Sequence, residues 1–334
     1  FVDHHTAHAA SAFFCSPFKE SAILTVDGVG EWTTATMGSA TADWDGEGRN
    51  IIQLKNEMRF PHSLGLLYSA FTAFLGFEVN EGEYKVMGMA PYGQPRYQDK
   101  VYKLVNVTDD GSFQLDMEYF SYHHSTSQTF NSKFVELFGE PRDPNSEFIT
   151  RLTHSDISGH EAETERNQYY ADVAASIQRV TEDILLRMAN HLYRETGLKQ
   201  LCMAGGVALN SVANGRILRE TPFEDLFIHP APGDSGGAVG AALYVWHVLL
   251  GKPRQFVLEH AYLGQGYDEG EMRAFLEGND IRYETYENDE VLFDRLIDDL
   301  MKGKVIGWFQ GRFEWGPRAL GNRSILADPR RADM

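Results

Sequence analysis

The longest periodic segment of the sequence runs from about Glu165 to Thr196 and predicts a single long helix. Its apolar residues recur at spacings of three and four, namely Val173, Ile177, Val180, Ile184, Met188 and Leu192. Gly197 follows as a residue that can end the helix in a left-handed conformation. Because strand patterns lie both before and after it, this helix indicates an α/β chain in which it is the main connecting element.

Short strands and shorter helices flank the long helix on both sides. We predict strands at Ser21–Val26, Glu31–Gly38, Ile51–Phe60, Gln200–Ala204, Asp225–Ile228, Ala261–Gly264 and Val305–Phe309. We predict the other helices at His5–Phe14, at 64–77 with Ser63 as N-cap, and at Val207–Arg219, Gly236–Leu250, Asp268–Gly278 and Asp289–Gly303. The first three strands are expected to pair antiparallel. The glycine-rich stretch Glu81–Gly93 is interpreted as a loop, and residues 94–160 as an inserted region.

The charge balance is acidic, with 48 aspartate and glutamate residues against 30 lysine and arginine residues and a net charge of −18. Such a surface repels phosphate backbones, so we expect no general nucleic-acid binding. Cys15 and Cys202 lie far apart in apolar surroundings, which predicts buried cysteines in a reducing cytoplasm. The longest apolar run, Leu64–Phe77, is too short to span a bilayer, so we expect no membrane association.

His4 and His8 are four residues apart on a predicted helix, so their side chains share one face. Two imidazoles in this arrangement can bind one metal ion. The alternative is a pair of histidines that only form hydrogen bonds at the start of the helix. His5 points elsewhere on the same helix.

Two acidic turns provide carboxylates that could complete a metal site. Asp27 ends an apolar strand and precedes Gly28–Gly30, a segment that allows close backbone approach to a ligand, although an ordinary hairpin is the alternative. Asp234 lies in Pro232–Gly237, where an acidic residue and two glycines enter a helix. Mixed histidine and carboxylate ligation with open positions suits iron(II), manganese or zinc, and it favours iron.

Two further blocks favour anionic ligands. In Ala204–Asn210 a strand meets a double glycine and the start of a helix, which lets a nucleotide lie against the backbone. This block lacks the spacing of a Rossmann fingerprint or a P-loop. Gly311–Ser324 contains three arginines between glycines, and arginine suits phosphate and carboxylate groups. The alternative for this second block is a turn that Glu314 locks by pairing with an arginine.

These blocks, in this order, resemble the nodulation-type and antibiotic-biosynthesis O-carbamoyltransferases, and the resemblance covers nearly the whole chain. The matching segments are His4–Phe14, Asp27–Gly30, Glu83–Gly93, Gly205–Asn210, Pro232–Gly237 and Gly311–Ser324. The last segment is shared mainly with the carbamoyltransferase of hydrogenase maturation. The histidine and Asp234 segments are also similar to the tRNA threonylcarbamoyl-transfer proteins. All of these proteins belong to the actin-like, sugar-kinase-like superfamily.

The resemblance implies a two-lobed actin-like (ribonuclease-H-like) α/β fold around a central cleft. On this basis residues 1–164 are expected to form lobe I, with the inserted region at about 94–160. Residues 165–252 then form the connecting helix and lobe II. Residues 253–334 form an appended α/β segment that leads to an adenylate-forming domain. We expect the first strands of lobe I and that carboxyl-terminal domain to be missing from this chain.

The resemblance also implies a reaction in which carbamoyl phosphate and ATP form carbamoyl-adenylate, whose carbamoyl group passes to a hydroxyl of a small-molecule acceptor. By match of motif, His4, His8 and Asp234 bind the metal, with Asp27 as a fourth ligand or close neighbour. The candidate nucleotide-binding residues are Gly28, Gly30, Gly205, Gly206, Val207, Asn210, Gly233 and Ser235. Lys85 and Arg318 are candidate catalytic residues, although a surface role is an equal alternative for Lys85. A homodimer is a further assembly that we consider.

Three other functions stay open at this point. Transfer of threonylcarbamoyl to tRNA is disfavoured by the acidic charge and by the arginine-rich Gly311–Ser324 segment. An actin-like small-molecule kinase or ATPase would need magnesium and direct phosphoryl transfer, and it leaves His4 and His8 without a purpose. A regulatory module would bind nucleotide without transferring any group.

Overall fold

Helices and short strands alternate along the computed structural model, which describes residues 1–46, 48–154 and 156–331. The strands are β1 (Glu20–Gly30), β2 (Thr33–Thr41), β3 (Ile51–Arg59), β4 (Val105–Val107), β5 (Phe113–Leu115), β6 (Gln200–Ala204), β7 (Asp225–Ile228), β8 (Ile306–Phe309) and β9 (Arg323–Leu326). The α-helices are α1 (His4–Cys15), α2 (Leu64–Phe74), α3 (Glu83–Met89), α4 (Gln98–Val101), α5 (Ser132–Phe138), α6 (Glu161–Thr196), α7 (Ser211–Glu220), α8 (Asp234–Leu243), α9 (Glu269–Gly278) and α10 (Asp289–Met301). Short 3₁₀ segments occur at Ala90–Tyr92, Met117–Tyr119 and Gly206–Leu209, and a π-helical turn at Tyr244–Leu249 continues α8.

The chain divides into two units. The first unit comprises Phe1–Arg151 with Asp156–Leu258. The second comprises the described residues of Leu152–Ser155 and Glu259–Met334. The last three positions of the predicted segment 253–334 lie outside the described residues.

A five-stranded mixed sheet in the order β3-β2-β1-β6-β7 forms the centre of the first unit. The antiparallel pairing predicted for the first three strands is confirmed, and β6 and β7 then run parallel to β1. Parallel neighbouring strands such as β1 and β6 need a crossover connection. The chain segment between β3 and β6, which contains the long helix α6, provides this connection. The carboxyl ends of β1, β6 and β7 therefore lie at the same edge of the sheet.

Helices cover both faces of this sheet. Alternate residues of β1 point to opposite faces, so Leu24 packs in a core with α2 and α6, while Ile23 packs in a second core with α1. The predicted inserted region contributes to the first core through residues such as Phe120 and Phe134. Both faces of β1 are thus buried, which explains its nearly continuous apolar sequence.

Strands from both predicted lobes lie in this one sheet. Thr25 of β1 pairs with Ala204 of β6, so residues 1–164 and 165–252 are joined by direct strand pairing. The described residues of the first unit show a mixed α/β architecture with one central sheet. The two-lobed actin-like arrangement and its boundaries stay a prediction.

Local signals located some ends of the helices and missed others. The long helix ends at Thr196 as predicted, and Gly197 follows with φ of 66°. Ser63 caps α2 by accepting a hydrogen bond from the Leu66 N–H, although the helix ends at Phe74 and not at Phe77. The helix predicted from Val207 begins as a 3₁₀ turn, and the helix predicted from Gly236 begins two residues earlier, at Asp234.

Two local predictions were wrong. The stretch Glu81–Gly93 is not a loop, because Glu83–Met89 forms α3. Its Val86 and Met89 are buried in the core, and this tertiary burial outweighs the poor helix propensity of its glycine. Residues 261–264 form no strand, because Ala261 and Gly264 form backbone hydrogen bonds with loop residues 315 and 313.

The second unit carries α9, α10 and the β8–β9 hairpin. In its arginine-rich block, the buried Glu314 carboxylate accepts hydrogen bonds from the N–H groups of Leu320 and Asn322 at 2.8 Å each. Arg323 Nε lies 3.2 Å from the same carboxylate. Glu314 therefore locks this turn, which was the alternative interpretation of the block.

Among the described residues, no helix has both the length and the apolar character that crossing a membrane requires.

Candidate metal centre

The candidate site lies at the sheet edge where β1, β6 and β7 end. Asp27 follows the last residues of β1 that pair with β6, and Gly205–Gly206 follows β6 directly. The loop after β7 leads to Asp234, the first residue of α8. Ligands of open α/β sheets bind outside the carboxyl ends of the strands, so this edge is the expected place for a site.

Helix α1 brings its histidines to the same edge. It precedes β1 and packs on the sheet, and its amino-terminal turn carries His4 and His8 on one face. Helix α8 packs against α1 at very short range, because a Cβ atom on Gly240 would lie 1.9 Å from the Ala7 carbonyl oxygen. The small residues of α8 therefore allow Asp234 to approach the histidine pair.

Four side chains converge there. His8 Nε2 lies 2.9 Å from His4 Nε2 and 2.9 Å from Asp27 Oδ2, and His4 Nε2 lies 3.1 Å from the same oxygen. Asp234 Oδ1 lies 3.4 Å from His4 Nε2 and 3.6 Å from His8 Nε2. The four ligand atoms lie within 4.8 Å of one another. The structure thus brings together all four residues of the predicted metal set.

The proton arrangement at the histidines fits a metal ion. Both Nε2 atoms point at one another and at Asp27 Oδ2, so at most one proton can satisfy the contact between the two rings. The imidazole of His8 is fully buried, and its Nδ1 has no hydrogen-bond partner among the described residues. A cation bound by the lone pairs of both Nε2 atoms and by the carboxylates satisfies the contacts among these four groups, and the proton of His8 is then on Nδ1. Metal–ligand bonds of about 2 Å require ligand atoms at such mutual separations.

Backbone groups orient the Asp27 carboxylate. Its Oδ1 accepts hydrogen bonds from the N–H groups of Gly28 at 2.8 Å and Gly206 at 3.0 Å, which leaves Oδ2 directed at the histidines. A Cβ atom on Gly206 would lie 3.0 Å from Oδ1. The double glycine after β6 therefore holds a metal-ligand candidate in place, a supporting role of the kind that tunes metal sites.

The charges around Asp27 favour the ionised form of its carboxylate. Burial alone would raise the pKa of Asp27, but hydrogen bonds from His4 and His8 lower that pKa well below its usual range. For His8, burial alone would lower the pKa. The hydrogen bonds and negative charges of Asp234 and Asp27 outweigh burial and raise the pKa of His8 to about 9. The Asp27 carboxylate is thus ionised at neutral pH.

His5 is not part of the cluster, as predicted. Its Nε2–H donates to the Thr33 carbonyl oxygen at 2.9 Å, and its Nδ1 accepts from the Thr25 hydroxyl at 2.6 Å. Burial lowers the pKa of His5 to about 4, so the ring is neutral. This histidine ties α1 to β1 and β2.

The glycines predicted to bind nucleotide have separate structural roles at the site. Gly205 has φ of 92°, and a Cβ atom there would lie 2.2 Å from the Val26 carbonyl oxygen, so only glycine fits. A Cβ atom on Gly30 would lie 2.1 Å from His4 Cδ2. Gly28 has open space by comparison, because the nearest heavy atom is Leu66 Cδ2 at 3.9 Å. Gly233 lies beside Gly206, at the same edge.

The remaining nucleotide-binding candidates differ in what their side chains contact. Ser235 is exposed in the first turn of α8, and Val207 packs against the core. The Asn210 side chain caps α7 by accepting from the Ala213 N–H, and it exchanges two hydrogen bonds of 3.0 Å with Gln178. Asn210 is therefore occupied in a structural network. Its role toward a nucleotide stays a prediction.

The two catalytic candidates lie in different units. Lys85 is exposed on α3, where its ammonium lies 5.7 Å from the Phe77 ring centre and 6.0 Å from that of Tyr84. Arg318 belongs to the Gly311–Ser324 block of the second unit. Both roles stay predictions.

Sequence reasoning missed three residues that support the site. The Ser63 hydroxyl contacts the carbonyl oxygens of Asp27 at 3.1 Å and Gly28 at 2.5 Å. Gly65 packs against the Asp27 backbone, and Gly240 packs against α1. The signal for Ser63 was recognised only as a helix cap. The two glycines look like ordinary small residues of a buried helix.

The amino-acid sequence also matches known protein families. Residues 1–243 match the family model described as the carbamoyltransferase N-terminus. The chain belongs to the carbamoyltransferase family. Residues 297–334 match the model described as the carbamoyltransferase C-terminus, and they overlap the segment 253–334 of the predicted organisation. The predicted family resemblance is confirmed.

Three relatives of this chain illustrate the family. An uncharacterized protein of Synechocystis, sll1178, is 48% identical over 341 residues, which cover 100% of this chain and 51% of the relative. Nodulation protein NolNO of Sinorhizobium fredii is 35% identical over 340 residues, which cover 99% of this chain and 44% of the relative. The 3'-hydroxymethylcephem-O-carbamoyltransferase of Streptomyces clavuligerus is 33% identical over 130 residues, covering 38% and 23%. The chain spans about half the length of the first two relatives.

Proposed function

We propose that this carbamoyltransferase chain is a metal-dependent O-carbamoyltransferase core that moves a carbamoyl group from carbamoyl-adenylate to a hydroxyl group of a small molecule. The observation that carries the proposal is the convergence of His4, His8, Asp27 and Asp234 within 4.8 Å. The family match supports carbamoyl as the group that is transferred. The name of the cephem relative specifies O-carbamoyl transfer, which supports a hydroxyl acceptor.

The four converging side chains would hold one divalent metal ion. Two imidazole nitrogens and two carboxylate oxygens with open positions favour iron(II), with zinc or manganese as alternatives. Such an ion supplies Lewis-acid polarisation of a carbamoyl or phosphate oxygen. The chain itself contributes the fixed orientation of Asp27, through the N–H groups of Gly28 and Gly206.

The backbone around the centre supports binding of an anionic donor. Helices α1 and α8 both begin at the centre, and their amino-terminal ends carry partial positive charge. We propose that Gly205, Gly206 and Gly233, with Gly28 and Gly30 across the edge, let the nucleotide of carbamoyl-adenylate lie against the backbone. Val207, Asn210 and Ser235 are proposed to line the same site. ATP and carbamoyl phosphate are the proposed precursors of this donor.

Lys85 and Arg318 are proposed to stabilise negative charge during transfer. Arginine and lysine are suited to phosphate groups, which supports this assignment. Adenylate is a good leaving group, so positioning of donor and acceptor would supply much of the remaining catalysis. The acidic composition supports a small-molecule acceptor over tRNA.

The wider setting of the protein is also a proposal. The central mixed sheet with helices on both faces supports an actin-like superfamily fold. Cys15 and Cys202 are buried free cysteines, which supports a reducing cytoplasm. A homodimer stays a prediction.

The test is anaerobic elemental analysis of the full-length protein. We expect about one iron, zinc or manganese per chain in the wild type and none in the His4→Ala/His8→Ala variant. A matched control is His123→Ala/His124→Ala, because these two exposed histidines also have adjacent rings, with centres 4.4 Å apart. The control should keep the metal. Absence of metal from the wild type, or equal metal in both double variants, would remove this proposal.

A second assay separates metal binding from transfer. Labelled carbamoyl phosphate and ATP are supplied to the full-length protein with hydroxylated acceptors and, in parallel, with tRNA. Label on the small acceptor supports the proposal. Label on tRNA, or phosphorylated product without carbamoyl phosphate, contradicts it.

A further inference from the structure

Among the described residues, the amino-terminal end of α1 has no side-chain cap, although this end carries the histidines of the candidate centre. Asp3 occupies the N-cap position, but its carboxylate accepts no capping hydrogen bond. By contrast, Ser63 and Asn210 cap α2 and α7 through their side chains. Uncapped helix ends fray, because their first N–H groups lack partners. The first turn of α1 therefore needs another anchor if His4 is to keep a fixed position.

His5 provides such an anchor through a directed chain of hydrogen bonds. Its Nε2–H donates to the Thr33 carbonyl oxygen at 2.9 Å, since a carbonyl oxygen can only accept. Its Nδ1 then accepts from the Thr25 hydroxyl at 2.6 Å, and Thr25 accepts in turn from the Thr36 hydroxyl at 2.5 Å. Thr25 and Thr36 are paired residues of β1 and β2. Both nitrogens of this buried ring are therefore bound to the central sheet.

The anchored His5 ring also contacts both histidine rings of the cluster. Its centre lies 5.6 Å from that of His4 at 54°, and 5.9 Å from that of His8 at 72°. The His4 and His8 rings meet edge to face at 4.5 Å. These distances and angles are those of packed rings. A fixed ring in this position restricts the rotation of its two neighbours, whose Nε2 atoms are directed at Asp27.

We propose that His5 is a positioning residue of the metal centre, which holds the His4 and His8 rings in the orientation that directs both Nε2 atoms at Asp27. His5 binds no metal itself, since both of its ring nitrogens have partners in the sheet. Loss of residues that orient metal ligands typically weakens metal affinity about 10–100-fold. This inference rests on the proposed metal-dependent function for its purpose, although the orientation of the rings can be measured in metal-free protein.

The first test measures the accessibility of the rings without metal. Full-length protein stripped of metal is treated with diethyl pyrocarbonate, which modifies accessible imidazoles, and the modified positions are mapped by mass spectrometry. His8 is fully buried, and His247 is buried against the last turn of α1, where its ring centre lies 4.8 Å from that of Phe14. Both should be protected in the wild type. In His5→Phe we expect modification of His8 to rise at least about tenfold while His247 stays protected, because only the first turn of α1 loses its anchor.

The second test measures the affinity of the full-length protein for Co(II) by absorption titration. We expect His5→Phe to bind Co(II) at least about tenfold more weakly than the wild type does. His5→Gln should recover part of this loss, since a glutamine amide N–H can donate to the Thr33 carbonyl oxygen. His247→Phe is the matched control, because it removes a buried imidazole that donates to the Lys252 carbonyl oxygen at 2.9 Å beside the other end of α1. This control should bind Co(II) as the wild type does.

The two tests separate local positioning from general destabilisation. Modification of both His8 and His247 in His5→Phe, or protection of His8 as complete as in the wild type, overturns the positioning role. A Co(II) affinity of His5→Phe equal to that of the wild type or of His247→Phe also overturns it. Wild-type protein that binds no Co(II) removes the proposed function, whereas the accessibility of His8 in metal-free protein still decides the role of His5. The two failures are therefore distinguishable.

Discussion

Gly240 in α8 packs directly on Ala7 in α1, since a Cβ atom at position 240 would lie 1.9 Å from the Ala7 carbonyl oxygen. Both helices begin at the candidate metal centre, with His4 as the first residue of α1 and Asp234 as the first residue of α8. Asp234 is 78% exposed in its side chain, so few contacts of its own hold it there. The backbone contact between the helices therefore sets the distance between Asp234 and the histidines.

Gly240→Ala is expected to push α8 away from α1 and to move Asp234 off the centre. Overpacking of this kind costs about 1–3 kcal/mol of unfolding free energy. We also expect at least about tenfold weaker metal binding, by analogy with loss of residues that support metal ligands. Urea unfolding and a metal titration of the same protein measure both effects.

Gly237→Ala is the matched control for this change. A Cβ atom on Gly237 has no heavy atom within 4 Å outside its own helix and chain neighbours. Alanine there should be neutral or should stabilise the protein by up to about 1 kcal/mol, because alanine favours helix more than glycine does. Equal losses of stability and metal affinity in both variants would show that the α1–α8 contact does not set the position of Asp234.

Gly30→Ala is expected to weaken metal binding by moving the His4 ring. The new methyl group would lie 2.1 Å from His4 Cδ2, so the imidazole must leave its position opposite Asp27. We expect a loss of about 10–100-fold in metal affinity. Gly28→Ala in the same turn should bind metal nearly as the wild type does, because its Cβ atom is 3.9 Å from Leu66. Similar affinity in all three proteins would contradict the assigned role of Gly30.

Gln178→Leu is expected to destabilise the protein through the network beneath the 205–210 turn. The buried Gln178 amide exchanges hydrogen bonds with Asn210 and accepts from the Tyr68 hydroxyl at 2.9 Å. The same amide also donates to the buried Glu182 carboxylate at 2.7 Å. Leucine removes the hydrogen-bond partner of Asn210, Tyr68 and Glu182, at a cost of about 2–3 kcal/mol. Tyr68→Phe should cost only about 1 kcal/mol. Because the two residues are in contact, urea unfolding of the double variant should show non-additive losses, and simple additivity would argue against the network.

The cysteines are expected to make the unfolding free energy fall at alkaline pH. Burial raises the pKa of Cys15 to about 12 and that of Cys202 to about 11, from 9.0 for a free thiol. Between pH 9 and 11 the unfolded state therefore binds fewer protons than the folded state, so stability falls as pH rises. Each thiol contributes up to about 1.4 kcal/mol per pH unit in this range.

A Cys15→Ala/Cys202→Ala variant provides the reference for that measurement. The difference in unfolding free energy between the wild type and the variant should shrink from pH 9 to pH 11 and stay constant below pH 8. Neither thiol should react with a disulfide reagent in the native protein at pH 8, and both should react in urea. Rapid native labelling would contradict the burial of both thiols.

Much of the candidate site could be predicted because its signals are local. Four-residue spacing on a helix places His4 and His8 on one face whatever the rest of the chain does. The Ser63 cap and the left-handed Gly197 also depend on neighbouring residues alone, and both were located from sequence. The arginine-rich block was less clear, since its alternative interpretation, a turn locked by Glu314, is what the structure shows.

The errors came from residues whose conformation depends on distant contacts. Helix α3 forms in a glycine-containing segment because Val86 and Met89 enter a core made with α2 and α6. Residues 261–264 have strand-like composition, but they hydrogen-bond to a loop about fifty residues further along the chain. Propensity carries no information about such partners, so local reasoning assigned both segments wrongly.

The sequence by itself determined which side chains can bind a metal, and family resemblance grouped them in advance. Only the tertiary structure decided that they meet, because Asp27 and Asp234 reach the histidines through parallel pairing of β1, β6 and β7 and through the close packing of α8 on α1.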